Sequence, residues 1–168
     1  MLEPLITSKT RLRLLIKFFL NIANKGYLNG LANEFGESTN SIRKELNNLS
    51  SSGYLKKQFE NNKVVYKANA EHPLFKIIQK IVKKHLGIEE ILETVLKRIG
   101  DVKKIMILGD YAEGIDSGHI EILIVGDKVN EDYLKEITPK IEKKINRKVN
   151  FFVSNSTLKQ KTLTIFEA

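Results

Sequence analysis

Residues 109–126 read G-D-Y-A-E-G-I-D-S-G-H-I-E-I-L-I-V-G and follow the apolar run Ile105–Leu108. The stretch closes in a second apolar run, Ile120–Val125. Two short apolar runs separated by glycines read as strand, turn and strand. Side chains alternate along a strand, so His119 and Glu121 fall on one face. Gly109, Gly114, Gly118 and Gly126 suit tight turns, the commonest use of glycine. Asp116 and Ser117 suit local capping of the turn, and Glu121 suits a solvent-facing carboxylate with His119 as its neighbour.

This layout resembles the nucleotidyltransferase domain of the DNA polymerase beta superfamily. That family carries G-S, then A-R-G, then S-D-x-D, with a third carboxylate on a later strand. Its paired carboxylates hold magnesium against a nucleoside triphosphate. The matching positions here are Gly109-Asp110, Ala112-Glu113-Gly114, and Ser117 followed by His119 and Glu121. The third carboxylate position falls at Asn150. Acidic residues in the loop repel a triphosphate, and one carboxylate beside one imidazole is a poor magnesium site. The resemblance thus implies a nucleotidyltransferase-like fold with no catalytic residue, cofactor or metal. Gly109, Asp110, Gly114, Ser117, His119 and Glu121 are what is left of a nucleotide site. The alternative is an active nucleotidyltransferase that uses Glu121 with Asp116 or Asp110 and holds a nucleic-acid substrate through its N-terminal half.

In that half, Thr7 and Ser8 can cap a helix running to about Asn24. Leu12, Leu15, Phe19 and Ile22 recur at helical spacing and mark one buried face. A short helix, Leu28–Phe35, with Leu31, Ala32 and Phe35 inward, stops at Gly36. A third helix runs from the Glu37-Ser38-Thr39-Asn40 turn to about Ser51, with Ile42, Leu46 and Leu49 on one side. Its other face presents Asn40, Ser41, Arg43, Lys44 and Asn47. Arg and Lys suit guanine edges or phosphates and Asn suits adenine, so this face has major-groove chemistry, although an ordinary solvated face would look similar. Tyr54–Glu60 and Lys63–Ala68 form a hairpin through Asn61-Asn62. Its Lys56, Lys57, Lys63 and Lys67 can reach a DNA backbone.

Leu5–Asn69 resembles winged-helix regulators of the ArsR type. The carrying residues are L-x-G-L-A-N-E-F-G-E-S-T-N-S-I-R-K-E-L, then L-S-S-S-G-Y-L-K-K, then V-V-Y-K-A-N. The resemblance implies a dimeric transcription regulator with double-stranded DNA as its partner and an effector not specified by the sequence. Metal-sensing members use cysteines, and this chain has none.

Pro73 ends this region. Leu74–Leu86 forms an amphipathic helix whose apolar arc is wide enough either for a second protomer or for Ile88–Ile99 of the same chain. Asn130–Arg147 is a helix that Pro139 kinks or splits, and Lys148–Val153 is a strand. Residues 157–168 add a strand or mark a chain cut short.

The expected organisation is α+β. A winged helix of three helices and a hairpin (1–72) precedes a helical connector (73–100) and an α/β nucleotidyltransferase-like domain (101–168). The net charge of +8 is concentrated at the front. Residues 1–72 hold 11 Lys and Arg against 6 Asp and Glu, whereas 101–168 hold 11 of each, so any polyanion partner belongs to the first part. The apolar run Leu12–Ile22 is too short and too charged to span a membrane, and no cleavage site follows it, so the chain reads as cytoplasmic.

Overall fold

The computed structural model describes residues 1–168 and divides into two compact units, Met1–Val82 and Lys83–Ala168. The fold class is α+β, with one sheet in each unit.

In the first unit, α1 (Lys9–Leu20) opens on Ser8, whose hydroxyl accepts the Arg11 N–H. The helix ends at Leu20 rather than near Asn24, because the buried Asn24 amide turns back and donates to the Lys17 carbonyl at 2.8 Å. Ile22 is consequently 49% exposed instead of inward. A single buried face is also too little for α1, since Leu14 and Phe18 are as buried as Phe19. A helix covered on most sides is the centre of its unit, and here the other elements pack around it.

A two-residue strand, β1 (Lys25–Gly26), follows; it is too short to leave a periodic signal. Next come α2 (Leu28–Phe35) and α3 (Thr39–Ser51), then the hairpin β2 (Leu55–Glu60) and β3 (Lys63–Ala68). Asn61 and Asn62 both adopt left-handed backbone, φ 49° and 62°, as a tight hairpin turn of matching twist requires. The strands lie in the order β1-β3-β2, all antiparallel. The unit thus runs helix, short strand, two helices and a terminal hairpin.

The division between the units falls inside α4 (Phe75–Leu86). Phe75, Val82 and Leu86 are buried, and Phe75 meets Phe19 with ring centroids 5.6 Å apart. Leu74, Ile77 and Ile81 stay exposed.

The second unit contains α5 (Ile88–Val95), β4 (Gly100–Leu108), α6 (Gly109–Ala112), β5 (His119–Val129), α7 (Glu131–Ile145), β6 (Lys148–Ser154) and β7 (Leu163–Glu167). Its sheet runs β6-β5-β4-β7, with β5 and β6 parallel and the other pairs antiparallel. Both faces of the central strands are covered. Ile105, Ile107, Ile122 and Ile124 pair on one face and are fully buried, whereas Met106, Leu108, Leu123 and Val125 form a buried cluster on the other. That explains the unbroken apolar run Ile122–Val125, and each such side chain contributes about 1.5–3 kcal/mol of burial.

Pro139 does not split α7, which runs unbroken to a left-handed Asn146. The ring is on the exposed side of the helix, so the cost is one missing backbone hydrogen bond. Beneath it, α7 packs along β6 and against α5, where the Tyr133 hydroxyl donates to the Thr94 carbonyl at 2.6 Å. The turn at Gly87 has φ +81°, and a Cβ there would collide with Ile145. The C-terminal residues do add a strand, β7, on the far edge of β4.

Candidate functional site

Gly36 turns the chain between α2 and α3 in left-handed backbone, φ 63°. Ser38 then caps α3, its hydroxyl accepting the Ser41 N–H at 3.3 Å. Ser41 is therefore part of the cap, with its own hydroxyl 3.0 Å from that of Ser38. With Ile42, Leu46 and Leu49 buried, Asn40, Arg43, Lys44 and Asn47 are all left exposed. Arg43 donates to the Asn40 side-chain oxygen at 2.9 Å, which steadies the guanidinium on this face.

The acids of α2, the turn and α3 all point the other way. Glu45 is buried and accepts from Arg11 at 2.8 Å and from the Ser8 hydroxyl at 3.1 Å. Glu37 meets Arg13 at 2.7 Å and also takes the Thr10 hydroxyl, and Glu34 meets Lys17 at 2.8 Å. Three carboxylates thereby fasten the pair of helices to α1, and none remains to offset the cations outside. This sidedness comes from tertiary pairing; charge counts along the chain do not reveal it.

The hairpin register separates the four wing lysines. Lys56 pairs with Lys67 and so shares its strand face, and Lys57 pairs with Tyr66 on the opposite face. Lys56 is also drawn to Glu71 at 2.9 Å. Lys63 lies at the turn end, its ammonium 4.2 Å from the centre of the Tyr27 ring. There a recess of about 370 Å³ opens between α3, the start of α2 and β3, lined by Tyr27, Arg43, Leu46, Asn47, Lys63 and Tyr66. Burial holds the Tyr66 hydroxyl above its usual range against the opposing pull of Arg43. The structure thus gathers Arg43, Asn47 and Lys63 around two tyrosines that sequence reasoning did not single out. Tyr27 and Tyr66 lie far apart in the chain, and only the pairing of β1 with β3 signals their approach.

In the second unit, β4 ends at Leu108 and Gly109 opens α6 with φ +59°. A Cβ at Gly109 would collide with the Glu121 carboxylate, so glycine is needed for both reasons. His119 and Glu121 do share a face of β5, and register sets Lys148 beside His119 and Asn150 beside Glu121. The expected position of the third acidic residue is therefore adjacent in space, but it holds an amide. No group of three or more His, Asp or Glu side chains lies close enough to hold a metal ion. Asp110 occupies the first turn of α6, and the Ser117 hydroxyl accepts the His119 N–H at 3.4 Å. Gly114 is buried with φ +78°.

Asp116 does more than cap a turn. Both of its oxygens accept from Arg147, at 2.8 and 2.7 Å, and the fully buried Tyr111 hydroxyl donates to it as well. Tyr111 in turn accepts the Gly118 N–H at 3.0 Å, and Arg147 donates onward to the carbonyls of Ile145 and His85. Burial pushes the Asp116 pKa up, but the Arg147 and Tyr111 hydrogen bonds outweigh it and leave the carboxyl below its ordinary range. Burial, with the hydrogen bond to Asp116, raises the Tyr111 phenol. Glu113 pairs with Lys161 at 3.0 Å. The Gly114–Gly118 loop is thus latched to the end of α7, and the Asp116 carboxylate is committed to that latch.

No protein-family model matches the chain, and no curated protein does. Among solved structures it is similar to Sso10a-2, a DNA-binding protein from Sulfolobus solfataricus. The identity is 17% over 52% of this chain and 90% of that one, with a TM-score of 0.35. It is also similar to the transcriptional regulator BldR from Sulfolobus solfataricus, at 12% identity over 59% of this chain and 69% of that one, with a TM-score of 0.39. No helix is long and apolar enough to cross a membrane.

Proposed function

We propose that this protein is a DNA-binding transcription regulator that acts as a homodimer. In this reading α3 enters the major groove with Asn40, Arg43, Lys44 and Asn47 toward the base edges. The hairpin lysines, Lys57 on one strand face and Lys56, Lys63 and Lys67 on the other, grip the phosphate backbone and supply affinity rather than sequence choice. The observation that carries the reading is the inward pairing of Glu34, Glu37 and Glu45 with α1, which leaves the outer face of α3 cationic without a compensating acid.

The second unit is, in the same proposal, a nucleotidyltransferase-like frame that performs no transfer and serves assembly, docking or ligand sensing. Glu121 faces Asn150 rather than a carboxylate, Glu113 replaces the loop arginine, and Asp116 is committed to Arg147. The experiment is selection of genomic duplex DNA on the intact protein at low and moderate salt, followed by sequencing. Enrichment of a short inverted repeat, lost in an Arg43, Lys44 and Asn47 triple alanine variant, is the expected result. Binding unchanged in that variant would remove α3 from the interface. Magnesium-dependent incorporation of labelled nucleotide would overturn the reading of the second unit.

A further inference from the structure

We propose that β6 is a homodimer interface, pairing antiparallel along its outer edge with β6 of a second copy around a two-fold axis near Phe151. The proposal gives a surface to the homodimer of the reading above, and it stands or falls without DNA.

The two edges of the second sheet are built differently. β7 has five residues, meets β4 through a register shift and ends in Glu167. These are the ways in which natural sheets blunt an edge. β6 has seven residues in unbroken register with β5, and after Lys148 it reads Val-Asn-Phe-Phe-Val-Ser without a charge or a proline. Phe152 and Val153 point to opposite faces and are 47% and 36% exposed. An edge this long, regular and apolar is a template for another strand.

What covers it follows from symmetry and charge. A groove of about 510 Å³ runs between α7 and β6, with Leu134 and Thr138 on one wall and Val149, Phe151 and Val153 on the other. Antiparallel pairing centred on Phe151 sets Val149 against Val153 of the second copy and Phe151 against itself, so the groove-lining set maps onto its own image. The crossover helix α7 runs opposite to the parallel strands it connects, and the same two-fold lays two α7 helices antiparallel. The front of α7 is net acidic, with Glu131, Asp132 and Glu136 against Lys135, and its back is net basic, with Lys140, Lys143 and Lys144 against Glu142. Each acidic half then faces a basic half, and the helix dipoles oppose each other. A uniformly acidic or basic partner would match only half of this surface. The other exposed apolar stripe, Leu74, Ile77 and Ile81, lacks such complementarity, because α4 has four lysines and no acid, and a second copy would set like charges together.

The test is the mass of the full chain in solution, by light scattering at micromolar concentration, without DNA. Twice 19.2 kDa is expected. Phe152→Lys with Val153→Lys should give the monomer with an unchanged circular dichroism spectrum, whereas Leu74→Lys with Ile81→Lys should leave the dimer. Reversing Glu131 and Asp132 to lysine should weaken dimerisation by at least about tenfold, and adding Lys143→Glu and Lys144→Glu should restore it. A monomeric wild type, a dimer indifferent to the β6 lysines, or one lost only through α4 would overturn the proposal. A dimer that binds no duplex removes the regulator reading alone, and a duplex-binding monomer removes this interface and the homodimer while leaving DNA binding in place.

Discussion

Arg43 and Lys44 carry the strongest expectation for a single side chain. Either one changed to alanine should weaken duplex binding by roughly 1–3 kcal/mol where it reads a base. Titration against one duplex and its point mutants checks this, since a base-reading residue loses discrimination at one position and a phosphate contact loses affinity evenly. Asp116 carries the second. Its carboxyl is depressed in the folded state, so its contribution to stability is complete above the ordinary carboxylate range, about pH 4, and is lost as pH falls through its lowered value. Acidification should therefore release the Gly114–Gly118 loop, read as faster amide exchange there. Asp116→Asn should exchange fast at neutral pH and lose most of that pH dependence. Neither Arg147 nor Tyr111 is sequence-adjacent to Asp116, which is why its residue type suggested only a turn cap.

Among the elements, α2, α3 and the hairpin were legible because local chemistry terminates each of them: Gly36, Ser38 and the Asn61-Asn62 pair. The error at α1 has the opposite origin. Periodicity assumes one buried stripe, and a central helix has no solvent side to break the pattern. β1 and β7 were weak or absent in sequence because each exists by pairing to an earlier or later strand, β3 and β4 respectively. For α7, the uninterrupted course through Pro139 predicts that Pro139→Ala raises stability by roughly 1–3 kcal/mol, since it restores a backbone donor on an exposed turn. Thermal or denaturant unfolding of the two proteins decides it, and a loss of stability would mean that the ring itself packs usefully.

At the scale of the whole molecule, the charge surplus belongs to the front of the chain, and duplex binding should be steeply salt-dependent. Each lysine that meets a phosphate adds about 0.9 to the slope of log affinity against log salt. Lys57→Ala or Lys63→Ala should thus flatten that slope by about one, measured by fluorescence anisotropy across a salt series. Glu121→Ala should leave slope and affinity as they are, and a change would tie the second unit to nucleic acid. By itself, the sequence determined the α+β class, the helices α2 and α3, the hairpin of β2 and β3, and the cationic face of α3. These properties are local, carried by residue spacing of two or three to four and by turn chemistry. Tertiary structure alone decided where the acids went, that Asp116 latches a loop, that Arg43 and Lys63 share a recess with Tyr27 and Tyr66, and that β6 ends a sheet. Each of these depends on which distant segments meet, and long-range pairing leaves no periodic mark in the chain.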